Sequence, residues 1–262
     1  MIVSGSEKTN RLIKKLYSTD PREVPIYTIA EAARYVKVHE NTLRSWVHGR
    51  ASQIQGRSRT MPPVIALPSK KSPLLSFINL LEAFNLSSLT RIENLSFKKV
   101  RIAIETLKGE KFGFEHPLIN QEFLTDSIDL FIQQNDELYN VSRWGQQAIK
   151  GIMLTYLKRI VRDEFDRSPL KVYPFAKEIK FDLLKKEPEK KAMLEQAPRH
   201  IEVDPLIAFG RPTITGTGIP VESIASRRRA GDNVIFIAKD YGISEEQVQE
   251  AIDYEQRPKK AA

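Results

Sequence analysis

Apolar residues recur at helical spacing along much of the chain, and the breaks in that spacing divide it into elements. Ile29, Ala32, Ala33 and Val36 fall on one helical face, the period fails near Val36 to Val38, and Leu43, Trp46 and Val47 resume it. Thr28 stands before the first stripe with Glu31 three residues on. That pairing lets a cap hydroxyl and a third-position carboxylate satisfy each other's orphan amides at a helix start. Two short helices joined by a tight turn are predicted, with Val38 plugging the turn and His39 or Glu40 opening the second helix. Ala32 and Ala33 give the low profile that lets this second helix cross closely. From 49 to 68 the period is lost, and Gly56, Ser58 and the Pro62-Pro63 pair punctuate two short extended pieces, as in a β-hairpin wing.

Beyond the wing, residues 76–89 (Phe77, Leu80, Leu81, Phe84) and 96–107 (Phe97, Val100, Ile104, Leu107) read as packed amphipathic helices, and 146–165 as another. Gly113, Pro117 and the alternating run Ile128 to Ile132 predict short strands within 112–132, and Pro174 ends a short apolar piece that begins at Leu170. Residues 1–25 look like a polar arm. The stretch 176–198 is charge-dense with alternating sign and too few apolar residues for its own core, so it is expected to be a linker or solvent-exposed helix. Residues 199–255 form a small unit: a helix over 233–241, a turn at Gly242-Ile243, and a second helix after Ser244 with Gln247 as its reciprocal cap; 256–262 is a tail. The expected fold class is mainly α with short β hairpins, a winged helix-turn-helix region over 26–175 followed by a small helix-turn-helix-like domain.

Charge sharpens this picture because it is unevenly spread. Lys and Arg outnumber Asp and Glu by 12 to 5 in residues 1–70, by 14 to 13 in 71–175 and by 15 to 15 in 176–262, so nearly all of the net +8 lies in the first quarter. A one-signed field on one module attracts a polyanion and releases its counterions, which marks the N-terminal region as the nucleic-acid candidate. With no cysteine in 262 residues, disulfides, thiol nucleophiles and cysteine-ligated metals are excluded. The four histidines form no ligand-spaced cluster, so neither a metal nor another cofactor is expected. No apolar run approaches the roughly 18 residues of a membrane span, and a cytoplasmic protein is expected.

The second helix leaves Asn41, Thr42, Arg44, Ser45 and His48, with His39 at its start, on the side opposite its apolar stripe. Asn and Arg suit paired hydrogen bonds to base edges in the major groove, and Thr and Ser reach bases or phosphates. Arg50, Arg57 and Arg59 in the wing would lie near the flanking backbone or the minor groove. Asn41 and Arg44 are therefore expected to specify sequence and the wing arginines to hold. Lys98, Lys99 and Arg101 on the helix at 96–107 are open to two uses, a second DNA-facing helix or a protein interface. In the C-terminal unit, Glu245, Glu246, Glu250 and Asp253 make the last helix acidic, which repels phosphate and points to a protein-binding surface, with Arg227, Arg228 and Arg229 available to an acidic partner.

These residues carry a family resemblance. The segment YTIAEAARYVKVHENTLRSWV resembles MerR-like helix-turn-helix modules. Its continuation, through LLSFINLLEAF, His116 to Leu118 and the Gly145 to Ile149 run, resembles antitoxins of the VapB type with a long N-terminal DNA-binding region. Residues 201–254 are similar to a small domain of formerly unknown function common in such antitoxins, through Asp204-Pro205, Gly210-Arg211-Pro212, Gly216-Thr217, Ile219-Pro220-Val221, Gly231 and Ala238 to Tyr241. Gly218 departs from that pattern, which has arginine there. The resemblance implies an antitoxin that binds double-stranded operator DNA, represses its own operon, and neutralises a PIN-type ribonuclease toxin, as a homodimer or within a larger toxin-antitoxin assembly. It implies no enzymatic activity. Two other classes compete: a stand-alone helix-turn-helix transcription regulator without a toxin partner, and a metal-dependent nuclease, for which Asp126, Asp129 and Asp136 are the notable acidic series.

Overall fold

The computed structural model describes residues 20–54, 57–69, 72–92, 97–108, 116, 118–119, 143–181 and 188–256. The segment expected to hold short strands at 112–132, and with it Asp126 and Asp129, lies almost wholly outside them, as does Asp136. Within them the molecule is mainly helical, with short antiparallel ribbons.

Helix α1 (Ile29–Tyr35) begins where the sequence puts it: Thr28 Oγ1 accepts from the Glu31 amide at 3.2 Å, and Glu31 returns a carboxylate to the Thr28 amide at 2.9 Å. Helix α2 (Glu40–His48) is N-capped by His39, whose Nδ1 accepts from the Asn41 amide at 3.2 Å. Both helices bury their stripes: Ala32, Leu43 and Trp46 are wholly inaccessible, and Val38 closes the turn from inside. Gly49 then takes a left-handed φ of 77°, and a Cβ there would meet the Met61 carbonyl oxygen at 2.2 Å; only glycine lets α2 run directly into a strand. The wing is β1 (Arg50–Ile54) paired antiparallel with β2 (Arg57–Met61), Arg50 opposite Met61 and Ile54 opposite Arg57.

Helix α3 (Phe77–Thr90) is buried nearly all round, polar Asn79, Glu82, Asn85, Ser87 and Ser88 included, and forms the centre of the larger core, capped by Ser76 with Asn79 reciprocating. Helix α4 (Phe97–Lys108) lays Phe97 flat on Trp46, ring centroids 5.4 Å apart and 12° from parallel. Helix α5 (Arg143–Leu157) packs on α3, where Phe84, Tyr156 and Phe175 meet with centroids 4.7 to 6.1 Å apart. The sequence pattern runs this helix on to about 165, but it ends at Leu157. Ile160 to Arg162 instead form β3 (Ile160–Arg162), paired with β4 (Pro169–Val172). Two β-branched residues favour the strand, and Asp163 Oδ1, accepting the Phe165 amide at 2.8 Å and the Asp166 amide at 3.2 Å, makes the reversal between them.

The charged stretch after Phe175 does more than span a gap. Phe181 and Leu194, the latter on α6 (Pro188–Glu195), are buried in the larger core. Single apolar residues spaced widely among charges carry no periodic signal, so sequence pattern sees only the charges. The C-terminal unit holds β5 (Ile201–Glu202) paired with β6 (Thr213–Ile214) and the helices α7 (Val221–Arg229), α8 (Val234–Tyr241) and α9 (Glu245–Glu255). Its own core gathers Ile201, Ile214, Val221, Ile224, Ile237, Val248 and Tyr254. Arg159, just after α5, joins the backbone on either side of that charged stretch. Its guanidinium donates to the carbonyls of Tyr173, Pro174, Ala197 and Pro198 and covers the Phe175 ring at 4.2 Å. Burial pushes it down to about 10 from the usual arginine range.

Candidate nucleic-acid interface

The exposed face of α2 is set by what its other face does. With Leu43, Trp46 and Val47 committed to the core, helical spacing turns Asn41, Arg44 and His48 to solvent, and Arg50 follows them, exposed, at the start of the wing. Thr42 and Ser45 are half-buried, and Ser45 Oγ donates to the Thr42 carbonyl at 2.7 Å, so that hydroxyl is already engaged. His39 is exposed but serves as the cap of α2. Arg57 and Arg59 stand on β2 opposite Ile54 and Ser52; their side chains lie outside the description.

Arg44 is 53% exposed and paired with Glu40 one turn back, Nη2 to Oε1 at 2.6 Å. An exposed pair of this kind contributes only about 0.3–0.5 kcal/mol, less than a bidentate contact to a base edge provides. Glu40 therefore parks the guanidinium on the helix surface at little cost to its release.

Behind this face, cations from neighbouring elements fasten α2 and the wing to the core. Arg101, 6% exposed on α4, donates to the Pro62 carbonyl and, at 3.4 Å, to that of Ser45, and burial pushes its guanidinium below the usual range. Lys108 donates to the Val64 carbonyl at 2.6 Å. The Trp46 carbonyl accepts from the amides of both Val64 and Ile65, at 2.7 and 3.0 Å. The sequence leaves two uses open for the basic residues of 96–107. Arg101 takes neither, because its charge points inward to backbone carbonyls; the side chains of Lys98 and Lys99 lie outside the description.

Pattern reading misses the contacts between the two units. Lys37, in the turn of the helix pair, is 4% exposed and has a φ of 57°; its Nζ donates to the Tyr254 carbonyl and lies 4.1 Å from the centroid of the Tyr254 ring. Burial pushes this ammonium down to about 8. Tyr254 donates its hydroxyl to the Tyr35 carbonyl at 2.9 Å, Tyr27 donates to the Gly210 carbonyl at 3.0 Å, and Arg34 pairs with Glu255 at 3.5 Å. A basic residue at a turn signals solvation in sequence, and nothing local distinguishes this one.

Of the arginines on α7, Arg227 is held by Asp232 at 2.7 Å and by Asp240, hydrogen bonds that keep its guanidinium above the usual range. Arg228 donates to the Asp232 carbonyl at 3.2 Å and Arg229 to Ser226 Oγ at 2.8 Å, and both are exposed. Next to them Ile235 and Phe236 are 65% and 53% exposed, with Arg227 5.5 Å from the Phe236 ring centroid. Among the described residues there is no cluster of three or more His, Cys, Asp or Glu that could hold a metal, and no helix is long and apolar enough to cross a membrane.

Residues 25–104 match a family described as "Putative DNA-binding HTH domain", and residues 201–254 match a "Protein of unknown function (DUF433)". The chain is 26% identical over 251 residues to the "Putative antitoxin VapB45" of Mycobacterium tuberculosis, a match spanning 88% of this chain and 94% of the relative. It is 21% identical over 245 residues to the "Uncharacterized protein Rv2308" of the same organism, spanning 87% and 89%. The crystal structure of Rv2018 from Mycobacterium tuberculosis has a similar fold, with a TM-score of 0.55 at 22% identity, covering 88% of this chain and 98% of that one. The chain thus resembles an antitoxin-named relative along most of its length and combines a helix-turn-helix region with a C-terminal DUF433 region.

Proposed function

We propose that this protein is a non-enzymatic cytoplasmic antitoxin of a type II toxin-antitoxin system, which binds duplex operator DNA through α2 and the wing and neutralises a PIN-type ribonuclease through its C-terminal unit. The observation that carries the DNA half is the exposed set of Asn41, Arg44 and His48 on a helix whose opposite face is buried, with exposed Arg50 beginning the wing next to it. A rigid helix offering amide and guanidinium groups fits the major groove, with the wing beside it. Homodimerisation, placing two such helices one duplex turn apart, would double the contact area.

Support for the partner half is the antitoxin-named relative together with the surface of α7 and α8. Exposed Ile235 and Phe236 offer apolar area, and Arg228 and Arg229 offer charge to an acidic partner such as a nuclease metal site. Co-expression of the full chain with any small open reading frame found beside its gene tests the proposal. Co-purification, inhibition of that product's RNA cleavage, and retention of a duplex from the shared promoter are the expected results. Promoter binding without a co-purifying partner would instead identify a stand-alone regulator.

A further inference from the structure

We infer that the C-terminal unit positions the DNA-reading helix, with Tyr254 and Lys37 as the positioning residues; this rests on the DNA-binding reading of α2. A helix leaves its last carbonyls without amide partners, to be satisfied by water, by a tightened last turn or by side chains. Here the carbonyls of Tyr35, Val36 and Lys37 all accept from side chains distant in the chain. Tyr254 of α9 serves Tyr35 at 2.9 Å, while Arg91, at the end of α3, serves Val36 at 3.3 Å and Lys37 as well. Arg91 is itself fixed to Glu178 at 3.1 Å.

The turn they cap is not relaxed by its own sequence. Lys37 has a Cβ in left-handed backbone, a conformation that persists where surroundings over-determine it. Its side chain is pinned at the other end by the Tyr254 carbonyl and ring. Tyr254 thus holds the turn twice, through the Tyr35 carbonyl and through the Lys37 ammonium, from a position that is itself fully buried. His39 caps α2 two residues later, so the direction in which α2 leaves the turn follows from this anchorage. A few turn residues suffice to absorb a change of helix direction. The unit proposed to bind the partner protein therefore also sets the pose of the helix proposed to read DNA, through contacts that touch no nucleotide.

The test uses the full chain with a 30-base-pair duplex from upstream of its own gene and a scrambled duplex of the same length. Tyr254→Phe deletes one hydroxyl and keeps the ring, Lys37→Met deletes the ammonium, and Arg44→Ala is the reference for direct reading. Both positioning variants are expected to lower affinity for the upstream duplex by roughly five- to tenfold. Affinity for the scrambled duplex should change less than twofold, and amide exchange across residues 36–43 should quicken while the core of α7 keeps its protection. Upstream affinity within twofold of wild type, or unaltered exchange across 36–43, overturns the inference. If Lys37→Met fails to fold, Tyr254→Phe decides alone. Where Arg44→Ala weakens binding and Tyr254→Phe does not, only the positioning role is lost; where no protein distinguishes the two duplexes, the DNA reading falls and takes this inference with it.

Discussion

Among the described residues, the helix-turn-helix pairs α1–α2 and α8–α9 share one capping device and present different outer faces. Each has a reciprocal cap, Thr28 with Glu31 in the first and Ser244 with Gln247 in the second. Each buries one stripe and exposes the other. The exposed side of the first carries Asn41, Arg44 and His48; that of the last helix carries Glu245, Glu246 and Gln249. The turns differ as well. Gly242 makes the second at φ 65° with open space where a Cβ would stand, whereas the non-glycine Lys37 makes the first and is held from outside. Capping and periodicity thus specify that a helix pair exists, while its outer face and the load on its turn decide what it does.

That contrast can be attacked from several sides. Trp46→Ala removes the ring stacked on Phe97 and should cost about 3–5 kcal/mol, read as a lowered midpoint in urea, because it deletes a wholly buried indole. Lys37 gives a pH signature. In the unfolded chain its pKa is about 10.4, and burial lowers it to about 8 in the fold. Between those values the unfolded chain binds more protons, so the contribution of this group to stability rises with pH across that window. Below about pH 8 its full penalty is present. Relative to Lys37→Met, the wild type should gain on the order of 2 kcal/mol between pH 7.5 and 10 in denaturant titrations; parallel curves for the two proteins would dissolve the contrast between the turns.

Smaller effects test the faces. Arg44→Ala should weaken binding to the upstream duplex by about 1–3 kcal/mol, while Glu246→Ala on the last helix should leave it unchanged. Loss of DNA affinity in the second variant would mean that both pairs read nucleic acid. Least of all, Gly242→Ala should cost about 1 kcal/mol, from backbone strain alone, since nothing lies within 4 Å of the added methyl. A much larger fall in the thermal midpoint would show that the second turn, too, carries a tertiary load.

What was legible in the sequence is what a few neighbouring residues determine. Thr28 and Glu31, Ser244 and Gln247, the stripe of Leu43, Trp46 and Val47, and the loss of period at Gly49 are all local, and the structure starts a helix at each cap, buries the stripe and ends α2 at Gly49. Ile160 and Val161 carry an apolar signal that helix and strand share, so only pairing with Pro169–Val172 decides between them. The face of α2 was legible as a set of residue types, whereas the engagement of Ser45, the cap role of His39 and the pairing of Arg44 with Glu40 depend on rotamers. Least legible were the cations. Lys37 and Arg101 look like surface charge because their acceptors are backbone carbonyls, and the partner of Lys37 lies 217 residues away.

The Arg159 contacts bear on how this molecule should be dissected. A fragment stopping at residue 175 keeps that guanidinium in an apolar setting but forfeits two of its acceptors, Ala197 and Pro198. Such a piece would sag at its new end for want of oxygen ligands. An experimenter could then mistake a surgical injury for a biological dependence on the missing domain, so point substitutions dissect this protein more cleanly than scissors do.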